Sequence, residues 1–287
     1  MRQYGLLPEQ NALSTFYWTV NVYQAVAVAY ANAYSKASVT DNLCGFSYAA
    51  ADGADKPAPL PQNSAALAFA NSNGIPPTVG IQLIRNGVST TTVGGVGAPM
   101  ADVDGAVCLR NLWTANDDSR RGDSRKGGDG GNPARRLAEG VEDILATADL
   151  HGKPTVIVHG RSDALIAVNH SSRSYYGSAL RKRQNIRYYE VTNAHHLDAF
   201  NSLAGFNTLY VPLHVYFIEG LDRLYAHLKS GTPLPPSQVV HTTPRGSAEP
   251  PLTGAKPITP ENVPHIANDP GELGKITFKG SILRIPD

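Results

Sequence analysis

The chain has 287 residues, of which 41% are hydrophobic and 17% are charged, and its formal net charge is +1. This length and apolar content can bury the core of one large domain or of two ordinary ones. The near-neutral charge, the absence of a bilayer-length apolar run and the absence of metal-type Cys and His spacing predict no nucleic-acid, membrane or metal partner. The first residues also lack the apolar segment of a signal peptide.

The first half of the chain predicts mainly helix and loop. Residues 11–34 contain no charged side chain and carry apolar residues at helical spacing, so we expect one largely buried helix. In the rest of this half, Gly, Pro and polar residues interrupt the apolar patterns and indicate turns and loops. The expected elements are a loop at 41–61, a short helix at 63–71, extended or loop structure at 87–105 and a mobile loop at 117–132.

The second half alternates helix and strand patterns. An amphipathic helix is predicted at 133–150, and the β-branched run Thr155–Val158 predicts a strand buried on both faces. A helix near 171–176, a strand at Ile186–Val191 and a helix at 212–229 follow. This βαβα order is typical of an α/β fold with a parallel sheet and helical crossovers.

These patterns divide the chain into three predicted parts. Residues 1–132 form a lid or substrate-side region, and residues 133–230 form the βαβα portion. Residues 231–287 are rich in proline and form an extended tail, with one short strand pair near residues 276–278 and 282–285.

Two strand ends carry residues suited to acid–base chemistry. Asp163 follows the strand that begins at Thr155, and His195 and His196 follow the strand that ends at Val191. Strand, acid, helix, strand, histidine is the order of the last two members of an α/β-hydrolase triad. Asp163 would then hold the histidine in the correct tautomer and stabilise its imidazolium form.

Each of these residues also has a simple structural interpretation. Asp163 would serve equally well as a turn or helix-cap aspartate, and the histidine pair as one core and one surface residue. Asp198 is an alternative acid, but it lies only two residues after His196 in the sequence.

A nucleophile is harder to find. The chain has no G-x-S-x-G motif, and the best candidate is Ser47 within Gly45–Ala49. A nucleophile elbow requires a buried strand before the serine and a long helix after it, and neither is predicted around Ser47. The two cysteines, Cys44 and Cys108, could form one disulfide or remain as two buried thiols.

Several longer segments resemble the D-3-hydroxybutyrate oligomer hydrolases, over nearly the whole chain. They are Tyr30–Tyr34, Asp41–Ala50, Asn73–Pro77, His151–Pro154, Val158–Ile166, Val191–His196, Val211–Ile218, Tyr225–Lys229 and Leu234–Val240. The resemblance implies an α/β-hydrolase-type serine esterase that cleaves 3-hydroxybutyrate dimers and oligomers derived from polyhydroxybutyrate. It implies no metal or organic cofactor and an extracellular or periplasmic location.

The resemblance also assigns roles within the site. Family members are much longer, and this chain looks like their C-terminal portion, so the nucleophilic serine would lie in an upstream segment and Ser47 would not inherit that role. His196 matches the histidine of an Asn-Ala-x-His segment and is preferred to His195, and Asp163 occupies the acid position. The related tannase and feruloyl-esterase group has cysteines where Ser162 and His195 stand here, so that disulfide is absent.

The sequence therefore predicts the C-terminal part of an α/β-hydrolase fold, with Asp163 and His196 as catalytic residues and a lid-like N-terminal region. The expected reaction is ester hydrolysis in 3-hydroxybutyrate dimers and oligomers. Two alternatives are a complete esterase that uses Ser47, and a non-catalytic or truncated module that binds polyester or a partner subunit.

Overall fold

The computed structural model describes residues 2–19, 21–52, 56–70, 81–85, 88–89, 103–115, 132–250 and 254–287. The loop predicted at 117–132 therefore lies, apart from its last residue, outside the described residues. The chain forms two compact units, one of residues 15–145 and one of residues 1–14 with 146–287.

The secondary structure is mixed throughout. In chain order, the elements of the first half are α1 (Pro8–Thr19), α2 (Val22–Tyr34), β1 (Phe46–Ala51), β2 (Pro57–Ala58), α3 (Gln62–Ala70), β3 (Gln82–Arg85), β4 (Val88–Ser89), α4 (Val103–Thr114) and α5 (Pro133–Glu142). Those of the second half are β5 (Thr155–Gly160), α6 (Ser172–Arg181), β6 (Ile186–Val191), α7 (Phe206–Leu209), α8 (His214–Ser230), β7 (Gln238–Val240), α9 (Gly271–Gly274), β8 (Thr277–Lys279) and β9 (Ile282–Arg284).

The unit of residues 15–145 contains an antiparallel sheet with strand order β2-β1-β3-β4. Its core joins α2 to the sheet through Val28, Phe46 and Leu83, which are all fully or almost fully buried. The prediction of a loop throughout 41–61 is wrong, because β1 and β2 lie there. Three of the six residues of Phe46–Ala51 are alanines, which strands disfavour, so its strand depends strongly on pairing with β3.

The single helix predicted at residues 11–34 is also wrong, because the structure has α1 and α2 instead. Asn21 adopts the left-handed conformation with φ of 59° and stands before the first residue of α2. A residue in this conformation cannot continue a right-handed helix, so the chain changes direction there.

A disulfide joins Cys44, just before β1, to Cys108 on α4, and closes a loop with a sequence separation of 64. The two cysteines are therefore bonded and are not free thiols. Closing a loop of this length is worth about 4 kcal/mol in the chain-entropy account.

Replacing both Cys44 and Cys108 with alanine is expected to lower the free energy of unfolding of the 15–145 unit by about 2–4 kcal/mol. Both tryptophans of the chain, Trp18 and Trp113, belong to this unit, so urea unfolding followed by tryptophan fluorescence isolates it. Reducing the wild-type protein should reproduce the shift, whereas the double variant should not respond to reductant. An unchanged midpoint would contradict a stabilising role for the bond.

The second unit is built on a parallel sheet with strand order β5-β6-β7. The strands predicted at 155–158 and 186–191 are confirmed, as is their parallel pairing, with Thr155 opposite Ile186 and Gly160 opposite Val191. The central strand β6 is buried on both faces. Tyr188 packs into one core cluster with α6, and Tyr189 packs into a second cluster with α8.

Three details of the second half of the chain correct the sequence predictions. The tail is not only a wrapping segment, because β7 inside it pairs with β6 as the third strand. The helix predicted at 133–150 ends at Glu142. Five of the six residues of β5 are half-buried rather than buried on both faces, because β5 pairs only with β6 among the described residues. The short strand pair predicted in the tail is confirmed as the β8–β9 hairpin.

Candidate active site

The carboxyl ends of β5 and β6 are held together by backbone contacts. The amide of Arg161 donates to the carbonyl of Val191 at 2.7 Å, and the amide of Ser162 donates to the carbonyl of Ala194 at 2.9 Å. Gly160 makes this approach possible, since a Cβ at this position would lie 2.4 Å from the carbonyl oxygen of Ala194. The two loops therefore leave the sheet side by side, as expected for adjacent parallel strands.

Asp163 follows β5 directly, and its side chain is 2% exposed. Its Oδ1 accepts hydrogen bonds from the amides of Leu165 at 2.9 Å and Ile166 at 2.7 Å. Its Oδ2 lies 2.8 Å from Nδ1 of His196 and 3.0 Å from Nε2 of His159. Burial alone raises the pKa of this carboxyl group, but the hydrogen bonds from the two histidines and the backbone lower the pKa to about 2.

His196 is the open member of the pair, with a side chain that is 36% exposed. The hydrogen bond to Asp163 raises the pKa of His196, although partial burial acts in the opposite direction. Because Asp163 is ionised, Nδ1 of His196 carries the proton that is donated to it, and Nε2 remains as the basic nitrogen. His196 borders a cleft of about 580 Å³, whose walls include Val156, Val158 and Phe217.

His195, unlike His196, is part of the protein interior. It is fully buried, and burial lowers its pKa. Its Nε2 lies 2.9 Å from Oδ1 of Asn201, and its ring packs against Phe206 and Tyr210. An amide oxygen only accepts, so the ring donates from Nε2, while Nδ1 accepts the amide of Leu197 at 3.4 Å. A ring that donates from one nitrogen and accepts at the other is neutral.

The alternative acid, Asp198, caps a helix. Its two carboxylate oxygens accept the amides of Leu213 at 2.9 Å and His214 at 2.8 Å, at the start of α8. These are backbone donors that a helix N-terminus leaves without intrahelical partners. Both carboxylate oxygens of Asp198 are thus engaged by backbone donors at the start of α8.

Ser47 lies on β1 in the other unit and is completely buried. Its hydroxyl group donates to the carbonyl oxygen of Val39 at 2.5 Å, and Oδ1 of Asn42 lies 3.2 Å from the same hydroxyl oxygen. A serine with a buried hydroxyl group engaged by the backbone has no access to substrate, so it stabilises the turn before β1.

Sequence reasoning overlooked His159 as a member of this site. It lies on β5 one residue before Gly160, and its ring approaches the same carboxylate oxygen as His196. Its position directly after the predicted buried strand Thr155–Val158 could have pointed to it, because a buried histidine requires polar partners.

The ionisation of Asp163 has a consequence for stability against pH. Its folded pKa of about 2 lies below the ordinary value of 3.8, so its stabilising effect is present above about pH 4 and is lost as the pH falls toward 2. We expect the difference in free energy of unfolding between wild type and Asp163→Asn to shrink by about 2.5 kcal/mol across this range. Urea unfolding followed by circular dichroism at successive pH values measures it.

Asp222→Asn, at an exposed position on α8, is the matched control and should give a difference nearly independent of pH. A constant difference for Asp163→Asn would show that the carboxylate is not stabilised in the folded state.

The contribution of His196 to stability has the opposite dependence on pH. Because its pKa is raised in the folded state, His196 stabilises the fold at low pH, and this stabilisation is lost as the pH rises above about 6.5.

Two features are absent from the part of the chain that the structure describes. Within the described ranges, no group of three or more His, Cys, Asp and Glu side chains has an arrangement that could hold a metal ion. None of the helices in those ranges is both long and apolar enough to cross a bilayer.

The fold and site define an α/β protein whose histidine–aspartate pair, at the carboxyl edge of a parallel sheet, is arranged for proton transfer. The sequence profile of the 3HB-oligomer hydrolases matches residues 1–287, and the chain belongs to this family. The resemblance seen in the sequence motifs is therefore confirmed.

Three relatives illustrate the similarity, each named D-(-)-3-hydroxybutyrate oligomer hydrolase. The protein of Azoarcus sp. (strain BH72) is 41% identical over 99% of this chain and 40% of its own length. That of Polaromonas sp. (strain JS666) is 42% identical over 99% of this chain and 40% of its own length. That of Ralstonia pickettii is 40% identical over 99% of this chain and 38% of its own length.

The chain therefore spans about two fifths of the length of these curated relatives. A comparison with solved structures found no match.

Proposed function

We propose that this chain supplies the histidine and the acid of a Ser-His-Asp esterase that hydrolyses 3-hydroxybutyrate dimers and oligomers. The observation that carries the proposal is the 2.8 Å hydrogen bond between Nδ1 of His196 and Oδ2 of the buried Asp163. It leaves Nε2 of His196 as the basic nitrogen of a side chain that is 36% exposed and borders a cleft. The relatives' printed names supply the substrate class.

In the proposed mechanism, His196 accepts the proton of a serine hydroxyl group at Nε2 while the serine attacks the ester carbonyl carbon. The resulting imidazolium is stabilised by Asp163, and it then gives its proton to the departing alcohol oxygen. Water repeats the sequence on the acyl-enzyme and releases 3-hydroxybutyrate. We assign the serine to a segment outside this chain, because the chain spans only 40% of the length of the Azoarcus relative. Ser47, the candidate within the chain, is buried and donates to a backbone carbonyl.

Among the described residues β5 pairs only with β6, and this supports our proposal of an α/β-hydrolase fold in a longer enzyme. Apolar residues of the adjacent helix α8 are exposed: Phe217 by 56%, Leu221 by 54% and Leu228 by 64%. An unpaired strand beside an exposed apolar helix face is normally covered by further structure. Additional strands beside β5 would extend the parallel sheet and bring the serine to the cleft that His196 borders.

Residues 1–132 are proposed as a lid or substrate-side region. Within the 15–145 unit, an apolar cavity of about 550 Å³ is bordered by Trp18, Tyr23, Leu109 and Trp113. Apolar walls of this kind suit the methyl and methylene groups of a hydroxybutyrate chain.

The disulfide between the two cysteines of this unit supports an extracellular or periplasmic location, where such bonds persist.

The test compares the isolated chain with a chimeric enzyme. In the chimera, this chain replaces the matching segment of the Azoarcus relative, to which it is 41% identical. We expect the isolated chain to leave 3-hydroxybutyrate dimer intact and the chimera to hydrolyse it. His196→Ala should abolish hydrolysis by the chimera, whereas His151→Ala, at a side chain that is 79% exposed, should not.

Two results would overturn the proposal. One is turnover by a chimera that carries His196→Ala. The other is turnover by the isolated chain that disappears in Ser47→Ala, which would identify a complete esterase within these residues.

A further inference from the structure

A continuous hydrogen-bond chain runs behind the site from one buried carboxylate to another. The hydroxyl group of Tyr188 lies 2.6 Å from Oε2 of Glu190, and Oγ of Ser172 lies 2.9 Å from the Tyr188 hydroxyl oxygen. The same Oγ lies 2.7 Å from Nδ1 of His159, and Nε2 of His159 lies 3.0 Å from Oδ2 of Asp163. Four hydrogen bonds thus connect Glu190 to Asp163.

The Glu190 end of this chain is ionised. Its Oε1 accepts from Nε of Arg161 at 2.5 Å and from Nη2 of Arg173 at 2.6 Å. Its Oε2 accepts from Nε of Arg173 at 2.8 Å. Burial opposes ionisation, but the two arginines outweigh it and lower the pKa of Glu190. Glu190 is therefore an acceptor only, and the proton in its contact with Tyr188 comes from the phenol.

Tyr188 has one proton and donates it to Glu190. Burial, and then the nearby charge of Glu190, raise the pKa of Tyr188, so the phenol remains protonated. The Tyr188 oxygen can then only accept from Ser172, which uses the single proton of the serine hydroxyl group. In its contact with His159, Ser172 is consequently the acceptor, and Nδ1 of His159 is the donor.

The Asp163 end imposes the same requirement on the other ring nitrogen. Both oxygens of Asp163 are occupied as acceptors, by two backbone amides and by the two histidines. An ionised carboxylate gives no proton, so the contact at 3.0 Å is a hydrogen bond only when Nε2 of His159 donates.

We infer that His159 carries a proton on both ring nitrogens and acts as a positioning residue for Asp163. Four hydrogen bonds between two ionised carboxylates need four protons, and Tyr188 and Ser172 supply one each, so His159 supplies two. The neutral alternative leaves two lone pairs facing each other inside the protein, which costs the energy of a lost buried hydrogen bond.

A doubly protonated His159 changes the charge on Asp163, the acid that is bonded to His196. The catalytic relevance of this effect rests on the proposed function. The imidazolium of His159 shares Oδ2 of Asp163 with Nδ1 of His196. It holds the carboxylate in place and withdraws part of the negative charge that raises the basicity of His196. His159 is thereby placed to tune the histidine of the pair without touching substrate.

Ring-nitrogen NMR of the ¹⁵N-labelled chain at about pH 8 tests the inference without requiring turnover. An ordinary histidine is neutral at this pH. The signals of His159 are identified by their absence in His159→Gln. We expect both nitrogens of His159 to be protonated in the wild type. A His159 ring with a single proton in the wild-type spectrum would overturn the inference, whatever the outcome of the esterase assay.

Two variants that leave Asp163 and both histidines in place sharpen the test. In Tyr188→Phe, Ser172 loses its acceptor and turns its proton toward Nδ1 of His159, so that nitrogen should lose its own proton. Ser172→Ala should also deprotonate Nδ1. In both variants the NMR titration midpoint of His196 should rise by about one pH unit, because a neutral His159 withdraws less charge from Asp163.

Tyr176→Phe is the matched control. Tyr176 is also buried, its ring centroid lies 5.5 Å from that of Tyr188, and its hydroxyl group donates to Ser237 outside the chain of hydrogen bonds. This variant should leave both protons on His159. Retention of both protons in Tyr188→Phe and Ser172→Ala, or their loss in Tyr176→Phe, would contradict the proton count.

Discussion

Asp163→Asn in the chimeric enzyme is expected to lower kcat/KM for 3-hydroxybutyrate dimer by about 10³–10⁴-fold, mostly through kcat. An asparagine has no negative charge to stabilise the imidazolium of His196. If its amide nitrogen faces Nδ1, it also favours the tautomer with the proton on Nε2, which cannot act as a base. Steady-state kinetics with circular dichroism on the same samples separates a catalytic loss from misfolding.

Asp198→Asn is the matched control for this prediction. Asp198 lies close in sequence to His196, but it caps α8 through the amides of Leu213 and His214. Its loss should cost about 1 kcal/mol of stability and change kcat/KM by less than about tenfold. A large loss in Asp198→Asn with little loss in Asp163→Asn would reverse the assignment of the acid.

Gly160→Ala is expected to lower the free energy of unfolding of the 146–287 region by about 3 kcal/mol and to separate Asp163 from His196. A Cβ at this position would lie 2.4 Å from the carbonyl oxygen and 2.7 Å from the carbonyl carbon of Ala194. Both atoms belong to the backbone, so the clash cannot be relieved by a side-chain rotation, and overpacking of this kind typically costs 1–3 kcal/mol or more. Urea unfolding measures the loss of stability, and the NMR titration of His196 reports whether its contact with Asp163 survives.

Gly177→Ala on α6 provides the contrast. The nearest atom to a Cβ there is Cδ2 of Leu283 at 4.0 Å, which is an ordinary contact. Inside a helix this substitution should raise the free energy of unfolding by about 0.5–1 kcal/mol. If both glycine variants behave alike, the close approach at Gly160 does not control the spacing of the two loops.

Several elements were predictable because their signal is local. The runs at Thr155–Val158 and Ile186–Val191 are rich in β-branched or aromatic residues, and the helix that begins at His214 has a regular apolar pattern, so propensity and periodicity agree with the fold. The closeness of Asp163 and His196 was predictable for a related reason. Adjacent parallel strands bring their carboxyl ends together, so two reactive residues just after such strands are expected to meet.

Other elements depend on partners distant in sequence and gave no local signal. β1 has an alanine-rich sequence, and β7 is three residues long within a proline-rich tail, so each becomes a strand only by pairing with a neighbour. The break at Asn21 likewise depends on a single left-handed residue within an otherwise continuous helical pattern. Local propensity is too weak to decide such cases, and tertiary contacts override it.

The sequence by itself determined the α/β class, the order of the strands around Asp163 and His196, and membership of a family through motifs that run along most of the chain. Only the tertiary structure decided that His159 shares the carboxylate of Asp163, that Ser47 is buried, and that β5 pairs with no strand other than β6 in the part of the chain that the structure describes. The physical reason is that these properties are set by hydrogen-bond geometry and by burial. Both depend on which segments pack against each other, and spacing along the chain does not encode this.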